Sequence, residues 1–279
     1  MQDRKGSIKQ VEQAANEIRK NVLGMCHRAN SSHVGSCFSC IDILAQIYVG
    51  GVLNVRPAEP EYAKRDYFIL SKGHAAAALY ATLAQAGFFP PEELLKFYSN
   101  GSRMGGHPSK GCVPGVEVST GSLGHGLGLG CGMAEEFALS KRANRVFVLL
   151  SDGELDEGSV WEAILFAGAK KLQNIVAIVD FNKIQSFERV EDAMPLEPLG
   201  KKFEAFGWEV ARVDGNDVEA LASVFSSDFM KSKKPKAIIA DTIKGKGVSY
   251  MENRLEWHYK SPNEQQYAQG LKELGENEV

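Results

Sequence analysis

Five short apolar runs, each followed by a segment long enough to hold a helix, form the strongest pattern in this chain. Val and Ile are frequent in the runs, which have the length and composition of buried strands. Strands that alternate with helices usually pair in parallel, and helices then cover both faces of the sheet. We therefore predict an α/β fold with a mainly parallel sheet. The runs are YFIL (67–70), VFVLL (146–150), NIVAIVDF (174–181), EVARV (209–213) and AIIADTI (237–243).

The remainder of the chain favours a single domain over residues 1–279. A length of 279 residues with 44% hydrophobic content can bury a sizeable core. Apolar residues recur at spacings of three and four from about 7 to 29, which predicts a packing helix. A glycine-dense region, 101–132, predicts a long loop that runs into a helix. Neither a low-complexity linker nor an internal repeat divides the chain.

Composition narrows the classes of partner and compartment. The formal charge of −3 and the pI near 6.1 show no basic excess, which argues against nucleic acid as a partner. No apolar run approaches the ~18 residues of a membrane span, and the first residues lack the apolar core of a signal peptide, so we expect a cytoplasmic protein. Cys37 and Cys40 form a C-x-x-C, but no second pair follows at zinc spacing. Packed thiols are the simpler interpretation.

Polar residues end two of the predicted strands. Asp152 follows the second run and Asn182 follows the third. Ligands of parallel α/β sheets bind beyond the carboxyl ends of the strands. The carboxylate oxygen of Asp152 and the amide oxygen of Asn182 should meet there and could hold Mg²⁺ or Ca²⁺. Gly153 would let the backbone approach a ligand closely, and a helix starting near Glu157 would direct free N–H groups towards an anion. Taken alone, Asp152-Gly153 could be a plain turn; its pairing with Asn182 favours the cation site.

Several motifs in register carry a family resemblance. They are SSHVGSC (31–37), LSKGHAAAALYA (70–81), GGHP (105–108), STGSLGHGL (119–127), SDGELDEG (151–158), DFNKI (180–184), KGKG (244–247) and WH (257–258). With these motifs the chain resembles the thiamine-diphosphate enzymes and, more closely, the N-terminal, diphosphate-binding third of a transketolase. It departs from that pattern at Ser151, where the family has glycine, at Val34, where proline is usual, and at His125, where glutamine is common.

The resemblance implies a cofactor site. Asp152, Asn182 and the backbone oxygen of Ile184 would coordinate the metal, and Gly153 would lie against the diphosphate. A glycine-rich stretch would contact the aminopyrimidine and its surroundings through backbone groups, and further positions would surround the cofactor. The stretch is Gly121, Ser122 and Leu123, and the further positions are Ser36, Lys72, His74, Asn182, Lys244 and His258. For the two lysines, a solvated surface position is an equal alternative. Gly128 and Gly130 are better explained by tight helix packing.

The resemblance also implies roles for histidines and one acid. His33 and His258 would contact substrate oxygens and transfer protons, with His107 in the same cluster and His74 on the diphosphate side. Singly, each could equally be structural; His27 and His125 have no such support. Glu157 either interacts favourably with a helix dipole or joins an acid network that links two active sites across a subunit interface.

The implied activity is transfer of a two-carbon ketol unit from a ketose to an aldose through an enamine of thiamine diphosphate. Because no acidic residue here matches the glutamate that activates the aminopyrimidine, we expect a two-chain transketolase with a second subunit carrying the pyrimidine-binding and C-terminal modules, assembled as a heterotetramer. The alternatives are a deoxyxylulose-phosphate-synthase-like subunit or a non-catalytic scaffold subunit. The sequence identifies neither the sugar substrates nor the physiological metal.

Overall fold

The computed structural model describes residues 6–275. These residues fold around one parallel sheet of five strands. Its strand order is β1-β2-β3-β5-β4, and every neighbouring pair is parallel. The predicted α/β class is therefore confirmed. The strands are β1 Tyr67–Leu70, β2 Val146–Ser151, β3 Ile175–Phe181, β4 Glu209–Asp214 and β5 Lys236–Asp241.

Helices fill the segments between the strands, and short 3₁₀ turns occur near several strand ends. The α-helices are α1 Ile8–Ala29, α2 Val34–Ser39, α3 Ile41–Tyr48, α4 Ala76–Gln85, α5 Gly126–Leu139, α6 Gly158–Lys170, α7 Val190–Ala193, α8 Leu199–Ala205, α9 Val218–Ser226 and α10 Glu264–Glu273. The 3₁₀ turns are Gly73–Ala75, Pro91–Lys96, Gly153–Asp156, Asp228–Lys231 and Leu255–His258. Among residues 6–275, no helix is both long enough and apolar enough to cross a membrane.

The central strands are buried on both faces, which explains their continuous apolar sequence. On β2, Leu149 faces one core together with the apolar side of α1, α3 and α4, whereas Val148 and Leu150 face a second core with α5, α6 and α8. The pleat alternates side chains between faces, so one strand serves both cores. The sheet is thereby held between two helical layers, and its carboxyl edge remains available for a site.

The first helix matches its predicted range to one residue. The hydroxyl of Ser7 caps the N-terminus of α1 by accepting a hydrogen bond from the backbone amide of Gln10. In turn, Oε1 of Gln10 accepts from the backbone amide of Ser7. Asn30 ends the helix in the left-handed conformation, with φ 46°. This reciprocal capping box satisfies N–H groups that a helix end otherwise leaves unpaired.

Two local expectations were wrong. The fifth run was predicted to continue to Ile243, but β5 ends at Asp241, and the amide of Ile243 donates instead to Asn216 Oδ1 at 2.8 Å. Gly128 was expected to allow tight helix packing, yet a Cβ atom there would meet nothing within 4 Å, because this side of α5 faces outwards. At Gly130 a Cβ would lie 2.7 Å from Val148 Cγ2, so that glycine does allow α5 to pack closely on the sheet.

Candidate active site

Asp152 and Asn182 lie together just beyond two paired strands. Ser151 of β2 is in register with Asp180 of β3, so the next residues of both strands emerge at the same edge. The Asp152 carboxylate accepts from the amide of Lys183 at 2.6 Å and from the amide of Gly153 at 2.8 Å. The two strand ends are thus joined through the predicted metal-binding carboxylate.

Lys244 brings a buried positive charge to the same place. Its side chain is fully buried, which excludes the alternative of a solvated surface lysine. Nζ donates to the carbonyl oxygens of Ile184 at 3.0 Å and Gln185 at 3.1 Å, and contacts His258 Nδ1 at 2.8 Å. Burial, with the nearby positive charge of Lys72, lowers the pKa of Lys244 to about 8.

Lys72 forms a second buried cation beneath this edge of the sheet, so its surface alternative is excluded as well. Its Nζ is paired with the carboxylate of Asp180 and donates to the carbonyl oxygen of Ser36 at 2.8 Å. Burial alone would lower the pKa of Lys72, but the Asp180 carboxylate holds it above its ordinary value. Ser39 also donates to Asp180, at 2.6 Å. Asp180 is therefore the counter-ion of Lys72 and also a hydrogen-bond acceptor for Ser39, a role that sequence reasoning missed.

The four predicted site histidines form one cluster. The ring centroid of His33 lies 5.3 Å from that of His74, 5.1 Å from that of His258 and 6.3 Å from that of His107. The backbone amide of His33 donates to the carbonyl oxygen of His258 at 3.0 Å, although the two residues are distant in sequence. His33 itself takes the left-handed conformation, with φ 73°. Four separate motifs therefore supply one group of imidazoles.

The imidazoles are held neutral. Burial, reinforced by His107, lowers the pKa of His33 to about 4, and burial with the charge of Lys244 lowers that of His258 to about 3. The pKa of His74 lies well below its usual value, chiefly through burial, and burial also lowers the pKa of His107. A neutral imidazole has one donor and one acceptor nitrogen, which suits contacts with sugar hydroxyls and carbonyls.

The glycine-rich stretch passes directly over the end of β1. Gly121 has φ 152°, and a Cβ atom there would lie 3.1 Å from His107 Cδ2. Thr120 Oγ1 donates to the carbonyl oxygen of Leu70 at 2.7 Å, which fastens the stretch to the strand. Ser122 is exposed and Leu123 half-buried, so the backbone around them is open on one side. A planar ring could approach this backbone.

Two of the acids that follow Asp152, Glu154 and Glu157, differ in environment. Glu154, which sequence reasoning did not single out, is fully buried and accepts from the amide of Gly124 at 2.9 Å. Glu157 is exposed at the N-cap of α6 and makes no side-chain capping bond. Burial raises the pKa of Glu154, although its hydrogen bonds with Ser71 and Gly124 oppose the rise. The available signal for Glu154 was its place in the polar cluster that follows β2.

The remaining histidines and the cysteines make local structural contacts. The ring of His27 stacks on Tyr267 at 4.4 Å, away from the cluster. His125 is exposed at the start of α5, with Nδ1 3.0 Å from the carbonyl oxygen of Leu123. The cysteines are free and buried, as expected for packed thiols, and burial raises the pKa of both Cys37 and Cys40.

The residues present fit a divalent cation and a diphosphate. Within residues 6–275 no group of three or more His, Cys, Asp or Glu side chains is arranged to hold a metal. A cation at Asp152 would therefore need amide and backbone oxygens as well, which Asn182 and Ile184 offer. A cation, the Lys244 ammonium, already lies 3.0 Å from the Ile184 carbonyl oxygen, so this oxygen is directed towards positive charge. Burial and neighbouring Asp180 raise the pKa of Asp152 to about 7. A bound cation would lower this pKa again, because it stabilises the charged carboxylate.

Comparison with known proteins identifies the family. Residues 10–278 match the family model described as transketolase, thiamine diphosphate binding domain. The chain is 39% identical over 269 residues to a protein of Phocaeicola vulgatus that is named as one subunit of apulose-4-phosphate transketolase, covering 96% of this chain and 95% of the relative. It is 36% identical over 264 residues to a 6-deoxy-6-sulfo-D-fructose transketolase subunit of a Clostridium species, covering 95% and 96%.

Longer transketolases match over only part of their length. The human transketolase is 40% identical over 257 residues, covering 91% of this chain and 40% of the human protein. The crystal structure of transketolase from Campylobacter jejuni superposes with a TM-score of 0.89 at 32% identity, covering 97% of this chain and 43% of the other. The chain thus spans less than half of these enzymes, but nearly all of the relatives named as subunits. It belongs to the transketolase family, and it corresponds to the domain of that family that binds thiamine diphosphate.

Proposed function

We propose that this chain acts with a second polypeptide to transfer a two-carbon ketol unit from a ketose to an aldose, with thiamine diphosphate and Mg²⁺ as cofactors. The observation that carries the proposal is the convergence of four neutral histidines beside the strand ends of Asp152 and Asn182. One side of the site is suited to a metal-bound diphosphate, and the other is suited to a polyhydroxylated substrate.

On the metal side, Asp152, Asn182 and the carbonyl oxygen of Ile184 would hold the cation, and Gly153 would lie against the diphosphate. Lys244 supplies further positive charge, because its pKa of about 8 keeps it mainly protonated at neutral pH. The aminopyrimidine would lie against Gly121, Ser122 and Leu123. The remaining residues proposed around the cofactor are Ser36, Lys72, His74 and His258.

On the substrate side, His258 is oriented by Lys244. An ammonium group only donates, so Nδ1 of His258 accepts at 2.8 Å and the ring proton lies on Nε2. His258 can therefore donate from Nε2 to a substrate oxygen, and His33 and His107 bind neighbouring hydroxyls. Thiamine diphosphate supplies the electron sink for cleavage of the ketose carbon–carbon bond. The imidazoles hold and move the protons that this cleavage requires.

The substrate class follows from the relatives more than from the site. Two relatives that match along nearly their whole length are named for apulose 4-phosphate and for 6-deoxy-6-sulfo-D-fructose. We propose a ketose donor and an aldose acceptor without choosing between these sugars, since their distal groups would contact the partner chain.

The partner is the second subunit of a two-chain transketolase. Relatives named as single subunits of a transketolase support this proposal, because such a name implies a further subunit in those proteins. We propose a heterotetramer in which exposed Glu157 links two active sites across the subunit interface. The five buried free thiols are compatible with a reducing compartment, and we propose the cytoplasm.

Family membership weighs against the two alternatives. Relatives along the full length are named as transketolase subunits, so a synthase-like subunit is not favoured. A non-catalytic scaffold would have no use for two fully buried lysines and a cluster of neutral histidines, because buried charges are costly to retain.

The test is reconstitution. The chain is produced with and without the polypeptide encoded beside it, and ketol transfer is assayed with several ketoses in the presence of thiamine diphosphate and Mg²⁺. Activity of the mixture alone would support the proposal. A stable complex without activity on any ketose would favour the scaffold, and full activity of this chain alone would exclude the need for a partner.

A further inference from the structure

The carboxylate of Glu154 lies where three separate segments meet. It is fully buried. Oε1 accepts from the hydroxyl of Ser71, just after β1, and from the amide of Gly124, at 2.9 Å, in the loop before α5. Oε2 accepts from the amide of Ser151, at the end of β2, at 3.3 Å. One side chain therefore joins two strand ends to the glycine-rich loop.

The segments around this carboxylate are packed without spare room. A Cβ atom at Gly126 would lie 2.2 Å from Ser71 Oγ, and one at Gly73 would lie 2.7 Å from the amide nitrogen of Gly121. Gly124 has φ 87°, a conformation that other residues rarely adopt. The loop can occupy this position only with glycines at the contacts, and its amide at Gly124 needs a buried acceptor.

A carboxylate suits this position better than any amide. Two partners of Glu154 are backbone N–H groups, which only donate, and each meets a different carboxylate oxygen. In Glu154→Gln, either orientation of the amide would set an NH₂ group against one of these N–H donors. One backbone donor would then be left buried without an acceptor, which costs more than a lost hydrogen bond.

We propose that Glu154 is a positioning residue that couples the two halves of the cofactor site. It fixes the loop bearing Gly121, Ser122 and Leu123 relative to the turn at Asp152 and Gly153. The first half would face the aminopyrimidine and the second the diphosphate, so the assignment of the halves rests on the function proposed above. Glu154 acts through these segments, because its own side chain is fully buried.

The first test needs no cofactor. Hydrogen exchange of the Gly124 and Ser151 amides is measured in the wild-type full chain and in Glu154→Gln, with β3 as an internal reference. At least one of these two amides should exchange roughly tenfold faster or more in the variant, with no change in β3. The matched control is Asp66→Asn, which alters a buried carboxylate at the amino end of β1 that accepts from Arg145 and Asn54.

Several outcomes of this test would overturn the proposal. Unchanged exchange at both Gly124 and Ser151 in Glu154→Gln is one, and equal acceleration by Asp66→Asn is another. If Glu154→Gln does not fold, the Gly124 amide of the wild type decides the matter: exchange there as fast as in an unstructured peptide would contradict the hydrogen bond and the proposal with it.

The second test separates the halves by ligand. Binding of thiamine diphosphate with Mg²⁺ and of pyrophosphate with Mg²⁺ is measured by calorimetry on the complex with its partner subunit. Glu154→Gln should weaken thiamine diphosphate roughly tenfold and leave pyrophosphate within about twofold. Equal weakening of both ligands, or no change in either, would overturn the coupling. Absence of thiamine diphosphate binding in the wild type would instead refute the proposed function.

Discussion

The two buried lysines of the site differ in how their charges are compensated. Lys72 is neutralised by Asp180, whereas Lys244 pairs with no carboxylate among residues 6–275 and donates to carbonyl oxygens and to His258. A buried cation that lacks a counter-ion favours binding of an anion. We therefore propose that Lys244 is arranged for a diphosphate, whereas Lys72 is paired with Asp180 at the strand ends.

Removal of the proposed metal ligand tests the cation site. Asp152→Ala should abolish Mg²⁺-dependent binding of thiamine diphosphate in the assembled enzyme, because the diphosphate charge would be poorly neutralised. Calorimetric titration with and without Mg²⁺ measures the effect. The control is Asp228→Ala, which removes an exposed carboxylate paired with Lys231. Unchanged affinity in Asp152→Ala would refute the metal assignment.

Replacement of His258 separates chemistry from binding. His258→Ala should retain the cofactor but reduce turnover by roughly 10²-fold or more, if its imidazole transfers protons. Steady-state rates and cofactor affinity are compared with those of His27→Ala, whose ring stacks on Tyr267 outside the cluster. Near-normal turnover with bound cofactor would show that His258 is structural.

The lowered pKa of His258 should make the stability of the fold depend on pH. The pKa of His258 is about 3 in the folded chain, against an ordinary value of 6.5. Between these values the unfolded chain binds the extra proton, so His258 lowers stability progressively as the pH falls below 6.5. His258→Gln cannot be protonated, and its stability should therefore rise relative to wild type from pH 7.5 to pH 4.5. Urea midpoints at several pH values measure this, and a constant difference would contradict the buried neutral state.

Among the helices and strands, α5 shows how glycine serves different purposes along one element. The side of α5 that faces the sheet has Gly126 and Gly130, where an added Cβ would collide with Ser71 and Val148. The outer side has Gly128 and Gly132, where an added Cβ would meet nothing within 4 Å. Close packing therefore explains the inner glycines and leaves the outer ones unexplained by contacts inside this chain.

Two alanine substitutions on α5 should have opposite effects on stability. Gly130→Ala should destabilise the chain by about 1–3 kcal/mol, because its Cβ would lie 2.7 Å from Val148 Cγ2. Gly132→Ala, two residues later, should stabilise it by up to about 1 kcal/mol, because alanine favours the helix and has room. Urea denaturation of the isolated chain gives both values. Equal effects would contradict the orientation of α5.

For the molecule as a whole, large apolar side chains on α6 remain exposed. Leu165 is 54% exposed and Phe166 40% exposed, on the helix that begins directly after Glu157. Exposed apolar surface of this kind is typical of protein interfaces. We propose that this exposed side of α6 is part of the contact with the partner.

Assembly with the partner should depend on this helix. The chain mixed with its partner should give a heterotetramer by light scattering and gain ketol transfer, which the chain alone should lack. Leu165→Glu should weaken the complex by roughly tenfold or more, since it introduces a charge at the interface. Leu95→Glu is the control, because Leu95 is 64% exposed on the helical layer across the sheet. Full assembly of Leu165→Glu would refute this contact surface.

Local sequence was sufficient to predict the sheet and one edge of the site. Apolar runs such as VFVLL must be buried wherever they occur, so their number and spacing predicted parallel strands between helices. Parallel strands end at a common edge, and Asp152 and Asn182 were therefore expected to be neighbours. The motifs around them also predicted the family, which comparison with known proteins confirms.

The burial and pairing of single side chains could not be predicted from local sequence. Lys72 and Asp180 are 108 residues apart in sequence, and Ser71 and Glu154 are 83 apart, yet each pair is in hydrogen-bond contact. No periodicity marks such pairs, because each depends on how distant segments are brought together by the sheet. Two lysines that could have been exposed are thus fully buried, and Glu154 joins three segments, since a charged side chain becomes buried only where the folded chain provides its partners.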